Sequence, residues 1–308
     1  MNGYPAVLTR GLTRSALAVV LLASAVTAQA EPVFALTNNA IFTFDSASPG
    51  ITSTTLLVTG LPGGVALMGI DLRPTTGVLY GIGSNSTIYT INTTTGAATV
   101  VGTVFGGVPL TGAGFGIDFN PVLDLDGFAS LRITGGTTNL RIDVDSFATN
   151  IEENFGSNSP AATSSLSAVA YTNNDRDPAT GTSLYGISAG LLYQVINPNA
   201  GTNALVGPLG APNVVYSATG FDISGLSGLS FASLVNGGTG FSSFYTINLL
   251  TGAATLVGAF PFQIGVVRDI TAATQAPRTV TPIPEPETYA LMMVGLAGLG
   301  WISRRRRR

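Results

Sequence analysis

Between residues 31 and 276 short runs of β-branched and aromatic residues alternate with breaks rich in Gly, Asn and Thr. That pattern predicts short strands joined by tight turns. Two stretches are near copies: Tyr89–Gly102 reads YTINTTTGAATVVG and Tyr245–Gly258 reads YTINLLTGAATLVG. Fainter copies run from Leu140 to Gly156 and from Leu192 to Gly207. The closing glycines of the series are Gly60, Gly102, Gly156, Gly207 and Gly258, with steps of 42, 54, 51 and 51 residues.

A second ladder precedes the first. Gly69-Ile70-Asp71-Leu72 recurs as Gly116-Ile117-Asp118-Phe119 and Gly220-Phe221-Asp222-Ile223. Val169-Ala170-Tyr171-Thr172 takes the fourth place, and Val267-Arg268-Asp269-Ile270 ends the series. Between the ladders, Leu79-Tyr80-Gly81-Ile82 is matched by Leu184-Tyr185-Gly186-Ile187. A full unit therefore holds four strands, and four strands repeated about every 40–50 residues are the signature of β-propeller blades. The first unit lacks its GIDL strand: it starts at Val33–Leu36, continues at Ile41–Asp45 and ends at Leu56–Gly60. The last unit is a lone GIDL-like strand within Ile264–Thr271. One strand missing at the front and one spare at the back predict an all-β ring of five blades, closed by a blade that both termini share. An open solenoid or a two-sheet sandwich would leave that arithmetic unexplained and a sheet edge exposed.

The flanks have a different character. Arg10 and Arg14 precede an apolar run, Ser15–Ala28, and Ala28-Gln29-Ala30 fits the small-x-small pattern of signal cleavage. Residues 1–30 read as a signal peptide for Sec export, with Glu31 starting the mature chain. Residues 277–287 form a Pro-rich linker, stiff and extended, containing Pro284-Glu285-Pro286. The remainder, 288–308, reads as a short transmembrane helix, with an uncharged stretch Tyr289–Ile302, followed by Arg304, Arg305, Arg306, Arg307 and Arg308. An apolar segment closed by arginines is a stop-transfer pattern that keeps the basic end cytoplasmic. Fourteen helical residues rise about 21 Å against a hydrocarbon core of about 30 Å, which suits a transient anchor.

These three features in this order closely resemble the PEP-CTERM sorting signal of Gram-negative bacteria. The resemblance implies cleavage near Pro284-Glu285-Pro286 by an exosortase, a membrane protease, and a final location at the cell surface or beyond it, in a host that makes exopolysaccharide or biofilm matrix. Residues 31–276 resemble the bacterial family catalogued as domain of unknown function 4394. The resemblance rests on Gly116-Ile117-Asp118-Phe119-Asn120-Pro121, Ala170-Tyr171-Thr172-Asn173, Leu184-Tyr185-Gly186-Ile187 and Asn199-Ala200-Gly201-Thr202. That family has no assigned activity and supplies no catalytic residues.

Composition narrows the chemistry. The chain has no His, Cys or Lys, which excludes an imidazole base, a thiolate nucleophile, a Cys or His metal site and a Schiff-base lysine. Only 9% of the residues are charged. Residues 31–283 carry 14 acidic side chains and 6 arginines, an excess that disfavours nucleic acid and anionic lipid as partners of the mature domain.

Carboxylates are the remaining candidates. Asp71, Asp118, Asp222 and Asp269 recur at one place of the GIDL strands. In a propeller that strand lies nearest the axis, so they are candidates for a ring that holds a cation, calcium above all. The competing expectation is that each accepts hydrogen bonds from a neighbouring blade, with Arg73 and Arg268 neutralising two of them. Asp124-Leu125-Asp126-Gly127 is a fragment of an acidic calcium loop without its distal Glu, and Asn173–Asp177 is similar; both read better as turns. A glycosidase needs two carboxylates about 5–10 Å apart, and no pair in the sequence stands out. The recurring aromatics Tyr80, Tyr89, Tyr185, Tyr193, Phe244 and Tyr245 could stack on sugar rings, but their regularity favours packing between blades. The sequence thus predicts an exported, non-enzymatic surface or matrix protein with no catalytic residues and no required cofactor. Its expected partners are the export machinery, the exosortase, the membrane before processing and polysaccharide. The alternative is a secreted carbohydrate-active hydrolase that uses Asp carboxylates.

Overall fold

Strands form where apolar residues alternate, and turns form where Asn, Thr and Gly interrupt them. The computed structural model describes residues 30–104, 115–135, 138–147, 149–151, 166–177 and 179–274. Residues 1–29 and 275–308, on which the expected signal peptide, Pro-rich linker and transmembrane helix fall, lie outside the described residues. Among the described residues no helix is long and apolar enough to cross a membrane.

The chain opens with β1 (Pro32–Leu36), β2 (Ala40–Asp45), β3 (Ser48–Thr52) and β4 (Leu56–Leu57). The first complete sheet is β5 (Leu67–Leu72), β6 (Leu79–Gly83), β7 (Thr87–Ile91) and β8 (Ala98–Thr103). The second is β9 (Gly116–Phe119), β10 (Ser130–Gly135), β11 (Thr138–Asp143) and β12 (Thr149–Ile151), with a short helix α1 (Pro121–Leu125) between its first two strands. The third is β13 (Ala168–Tyr171), β14 (Leu184–Ser188), β15 (Leu191–Asn197) and β16 (Thr202–Pro208). The fourth is β17 (Val214–Ile223), β18 (Ser230–Asn236), β19 (Ser242–Ile247) and β20 (Ala254–Ala259). The last strand, β21 (Asp269–Ala272), returns to pair antiparallel with β1, giving the order β21-β1-β2-β3 with β4 also on β2. The ring of five blades and its shared closing blade are therefore as the repeat arithmetic predicts. Neighbouring inner strands touch in the cycle β5, β9, β13, β17, β21 and back to β5.

Two boundaries differ from expectation. Ile264 ends a 3-10 turn (Phe262–Ile264), residues 265–268 are irregular, and the closing strand begins only at Asp269. The outer strand expected at Leu56–Gly60 shortens to two residues, because β3 takes the other end of the β2 edge through a register shift at Phe44 and Asp45.

The near copies have a local cause. Asn92 Oδ1 accepts from the N–H groups of Thr94 and Thr95, both at 2.9 Å, and Asn248 Oδ1 accepts from Leu250 (2.9 Å) and Thr251 (3.1 Å). Each hairpin then turns through a glycine at positive φ, Gly96 at 75° and Gly252 at 83°. The sequence N-x-x-T-G thus writes the same turn twice.

Side chains between the blades fill most of the core. Phe44 meets Phe244 edge-on at 4.8 Å and Phe260 at 5.0 Å, which locks the shared blade against the fourth sheet. Of the recurring aromatics Tyr80, Tyr89, Tyr193, Phe244 and Tyr245 are buried, and Tyr185 is half-buried against the core between the third and fourth sheets. One junction is polar. Arg132, 2% exposed, donates to the Tyr171 hydroxyl (3.0 Å), Asn139 Oδ1 (2.7 Å), the Pro198 carbonyl (3.4 Å) and Asn199 Oδ1 (3.2 Å), joining the second sheet to the third. The start of the domain is also held. The Glu31 N–H donates to Ser46 Oγ at 3.1 Å, and its buried carboxylate accepts from Ser227 Oγ at 2.7 Å and from Ser224 Oγ.

Ending the chain at Arg268 would remove β21 and bare the edge of β1. We expect that variant to elute from size exclusion as aggregate while the intact chain elutes as a discrete species. A truncated chain with unchanged elution and unfolding temperature would contradict ring closure by β21.

Candidate functional site

The GIDL strands line the centre, and their two recurring residues have separate tasks. Register fixes which positions are equivalent. Asp71, Asp118, Ala170, Asp222 and Thr271 stand opposite Tyr80, Arg132, Tyr185, Phe231 and Phe34 on the second strand of their blades, and so share one level of the ring. Gly69, Gly116, Ala168, Gly220 and Asp269 share the level next to it. Asp269 is therefore not the fourth member of the aspartate series; Thr271 holds that place. The sequence RDI imitates IDL two residues early, and only the pairing with β1 reveals the offset.

Small residues occupy the second level because the inner strands approach closely there. A Cβ on Gly116 would lie 2.5 Å from the Val169 nitrogen, and one on Gly220 would lie 2.6 Å from the Ile270 nitrogen. No ladder joins adjacent inner strands, so their axial N–H groups need other acceptors. The acidic side chains supply them. Asp71 Oδ2 accepts from Phe119 N–H at 2.8 Å, Asp222 Oδ2 from Ala272 N–H at 2.6 Å and Asp269 Oδ2 from Ile70 N–H at 2.9 Å. Thr271 Oγ1 does the same for Leu72 N–H at 3.2 Å and donates its own proton to Asp71 Oδ1 at 2.9 Å. Each tie runs from one blade to the next.

Asp118 breaks the pattern. It is 1% exposed; the Tyr171 N–H and the Asp222 carboxyl face it, but neither carboxylate oxygen makes a hydrogen bond of good geometry. One carboxylate oxygen each from Asp71, Asp118 and Asp222 lies within 4.8 Å of the others. Because β13 separates β17 from β9, and β21 separates β17 from β5, these three carboxylates meet across the middle of the ring.

Neither arginine expected to neutralise the ring does so. Arg73 Nε binds Asp124 at 2.7 Å and its terminal nitrogens grip Asp145, while Arg268 donates to Asn38. Asp124, also bound by Thr75, is buried in α1, whose N-terminus is capped by Asn120. Its oxygens are thus occupied, and Asp126 sits at the C-terminal end of that helix. Asn173–Asp177 forms a turn in which Asp175 Oδ1 accepts from Asp177 N–H at 2.8 Å. Two surface grooves, of about 470 and 310 Å³, lie away from the ring centre and carry no carboxylate in their linings. Thr271 and Arg132, which the sequence patterns do not single out, prove to be structural partners at the ring centre and at the polar junction.

Burial pushes all four inner carboxyl groups above the usual carboxylate range. For Asp71 the charge of Asp222 adds to it, and for Asp118 the charges of Asp71 and Asp222 do. Asp222 is pushed up to about 7. A carboxyl with a folded-state pKa above its unfolded value of about 3.9 binds its proton more tightly in the fold. The stability it contributes is complete below about pH 4 and is lost as pH rises towards 7. In a metal chelator the unfolding temperature should therefore fall between pH 5 and pH 8; a rise over that interval would contradict the charge balance described for the ring.

Comparison with known proteins places this geometry. The family model described as domain of unknown function (DUF4394) matches residues 40–271, and that of the PEP-CTERM protein-sorting motif matches 282–308. A search of curated proteins finds no match. Among solved structures, a chain of a nidogen/laminin complex is similar with 14% identity and a TM-score of 0.44, covering 80% of this chain and 86% of that one. A protein of unknown function from Bacteroides thetaiotaomicron has 14% identity and a TM-score of 0.44, covering 73% and 57%. TolB from Acinetobacter baumannii has 13% identity and a TM-score of 0.41, covering 74% and 53%. This chain spans little more than half the length of the latter two, and scores this low carry no functional weight.

Proposed function

The chain belongs to the DUF4394 family, and from that premise we propose that its propeller is a non-enzymatic binding or structural module of the cell surface or extracellular matrix. The PEP-CTERM motif marks an exported protein that an exosortase processes. The observation that carries the proposal is where the fold ends. The ring closes at Ala272, twelve residues before Pro284, so cleavage at the motif leaves every strand among the described residues in place. Glu31, the expected first residue after signal cleavage, is already seated in the domain through Ser46, Ser224 and Ser227. Both processing sites thus flank a self-sufficient ring.

In this reading the tail is a transient inner-membrane anchor. Arg304–Arg308 stay at the cytoplasmic face because carrying five guanidinium groups through hydrocarbon is prohibitive. The apolar segment 289–302 then holds Pro284-Glu285-Pro286 near the outer surface, where the prolines keep it extended and open to a protease. The non-enzymatic assignment draws support from the employment of the inner carboxylates: Asp71, Asp222 and Asp269 tie blade to blade.

Mass spectrometry of the protein from its native host should find an N-terminus at Glu31 and no peptide beyond about Glu287. The same material should be retained on a polysaccharide column without releasing sugar. A dominant species ending at Arg308 would reject processing, and turnover of a polysaccharide would replace the binding module with a hydrolase.

A further inference from the structure

We propose that the three carboxylates of Asp71, Asp118 and Asp222 form a buried binding site for one divalent cation of calcium size at the centre of the ring. The site stands on two independent observations. The first is convergence: one oxygen from each side chain lies within 4.8 Å of the other two. Two oxygens on opposite sides of a calcium ion at about 2.3–2.6 Å are that far apart. The second is Asp118, which is 1% exposed, contributes an oxygen to the cluster and makes no hydrogen bond of good geometry on either oxygen, the facing Tyr171 N–H and Asp222 carboxyl included. A buried carboxylate without a well-formed hydrogen bond is costly, and native folds rarely keep one without a further partner.

The other members are positioned for the same task. Asp71 and Asp222 are each held by backbone N–H groups from their own strand and the next, Leu72 and Phe119 for Asp71, Ile223 and Ala272 for Asp222. Among the described residues Phe119 N–H is the one hydrogen-bond donor to Asp71 Oδ2, and each oxygen of Asp222 takes one backbone N–H. Such oxygens keep a lone pair for an ion. Their orientation is fixed by hydrogen bonds outside the cluster, as ligating carboxylates usually are. No arginine among the described residues pairs with any of the three. The donor set is oxygen only, in a chain without His or Cys, which selects a hard cation over zinc or copper. A site closed on all sides takes up its ion as the ring assembles.

The test uses the protein purified from its native host. Elemental analysis should find one calcium per chain. After unfolding and refolding in EGTA the ion should be absent. Refolding with calcium chloride at a hundredfold excess over Kd should raise the unfolding temperature by roughly 5–10 °C over the EGTA sample. Asp118→Asn removes one negative ligand and also relieves the uncompensated charge. It should lose the calcium, unfold above the wild type in EGTA and unfold below it in calcium. That inversion separates ligation from a purely structural role. A folded wild-type protein with no bound calcium and no calcium-dependent shift would overturn the proposal, as would full calcium occupancy in Asp118→Asn. If the variant fails to fold, the wild-type stoichiometry and shift decide the matter without it.

Discussion

Five inner strands meet around the centre of this molecule without a ladder between them, and N–H groups of β5, β9 and β21 turn to a neighbouring blade for their acceptor. The acceptor is an acidic or hydroxyl side chain from the adjacent blade: Asp71 for Phe119, Asp222 for Ala272, Asp269 for Ile70 and Thr271 for Leu72. The strands must also come within contact distance, which small residues such as Gly116 and Gly220 permit. Everything outside follows from this arrangement. The antiparallel hairpins radiate from it, the apolar side chains fill the wedges between sheets, and the last strand must return to the first because an open ring would leave two unsatisfied inner edges.

Placing carboxylates where N–H groups need acceptors has a consequence. Burial drives their pKa values up, and three of them face one another. At the low-pH end protons resolve the conflict; a cation resolves it without them. The ties and the ion proposal are thus two aspects of one geometry: the side chains that fasten the blades also bring charge together where only charge of the opposite sign can relieve it.

Much of this was legible in the chain. The G-I-D repeat states both requirements of the inner strand, a residue without a side chain for close approach and a carboxylate two residues later for the tie. The near copies at Tyr89–Gly102 and Tyr245–Gly258 state the outer hairpin and its Asn-anchored turn. Ring closure followed from a missing strand and a spare one. Other features were hidden for physical reasons. Asp269 resembles the series but sits two positions early, because strand register depends on a partner 233 residues away, Leu36. Thr271 replaces a carboxylate with a hydroxyl, a substitution that hydrogen bonding allows and residue type conceals. Arg132 lies in a strand that alternates polar and apolar residues; that alternation signals a polar face, but not that the face is buried against Tyr171 and Asn199. Beyond the ring, the sorting tail was legible in its order of Pro-Glu-Pro, apolar segment and arginines, the stretch that the PEP-CTERM motif matches.

The central claim is that side-chain ties between inner strands hold the five blades as one cooperative unit. Native-state hydrogen exchange reads those ties directly, at the amides of Ile70, Phe119 and Ala272. The account predicts that all three exchange only through global unfolding, with protection equal to that of ladder amides within the sheets. Exchange of these amides by local opening, with the ladders around them still protected, would contradict it.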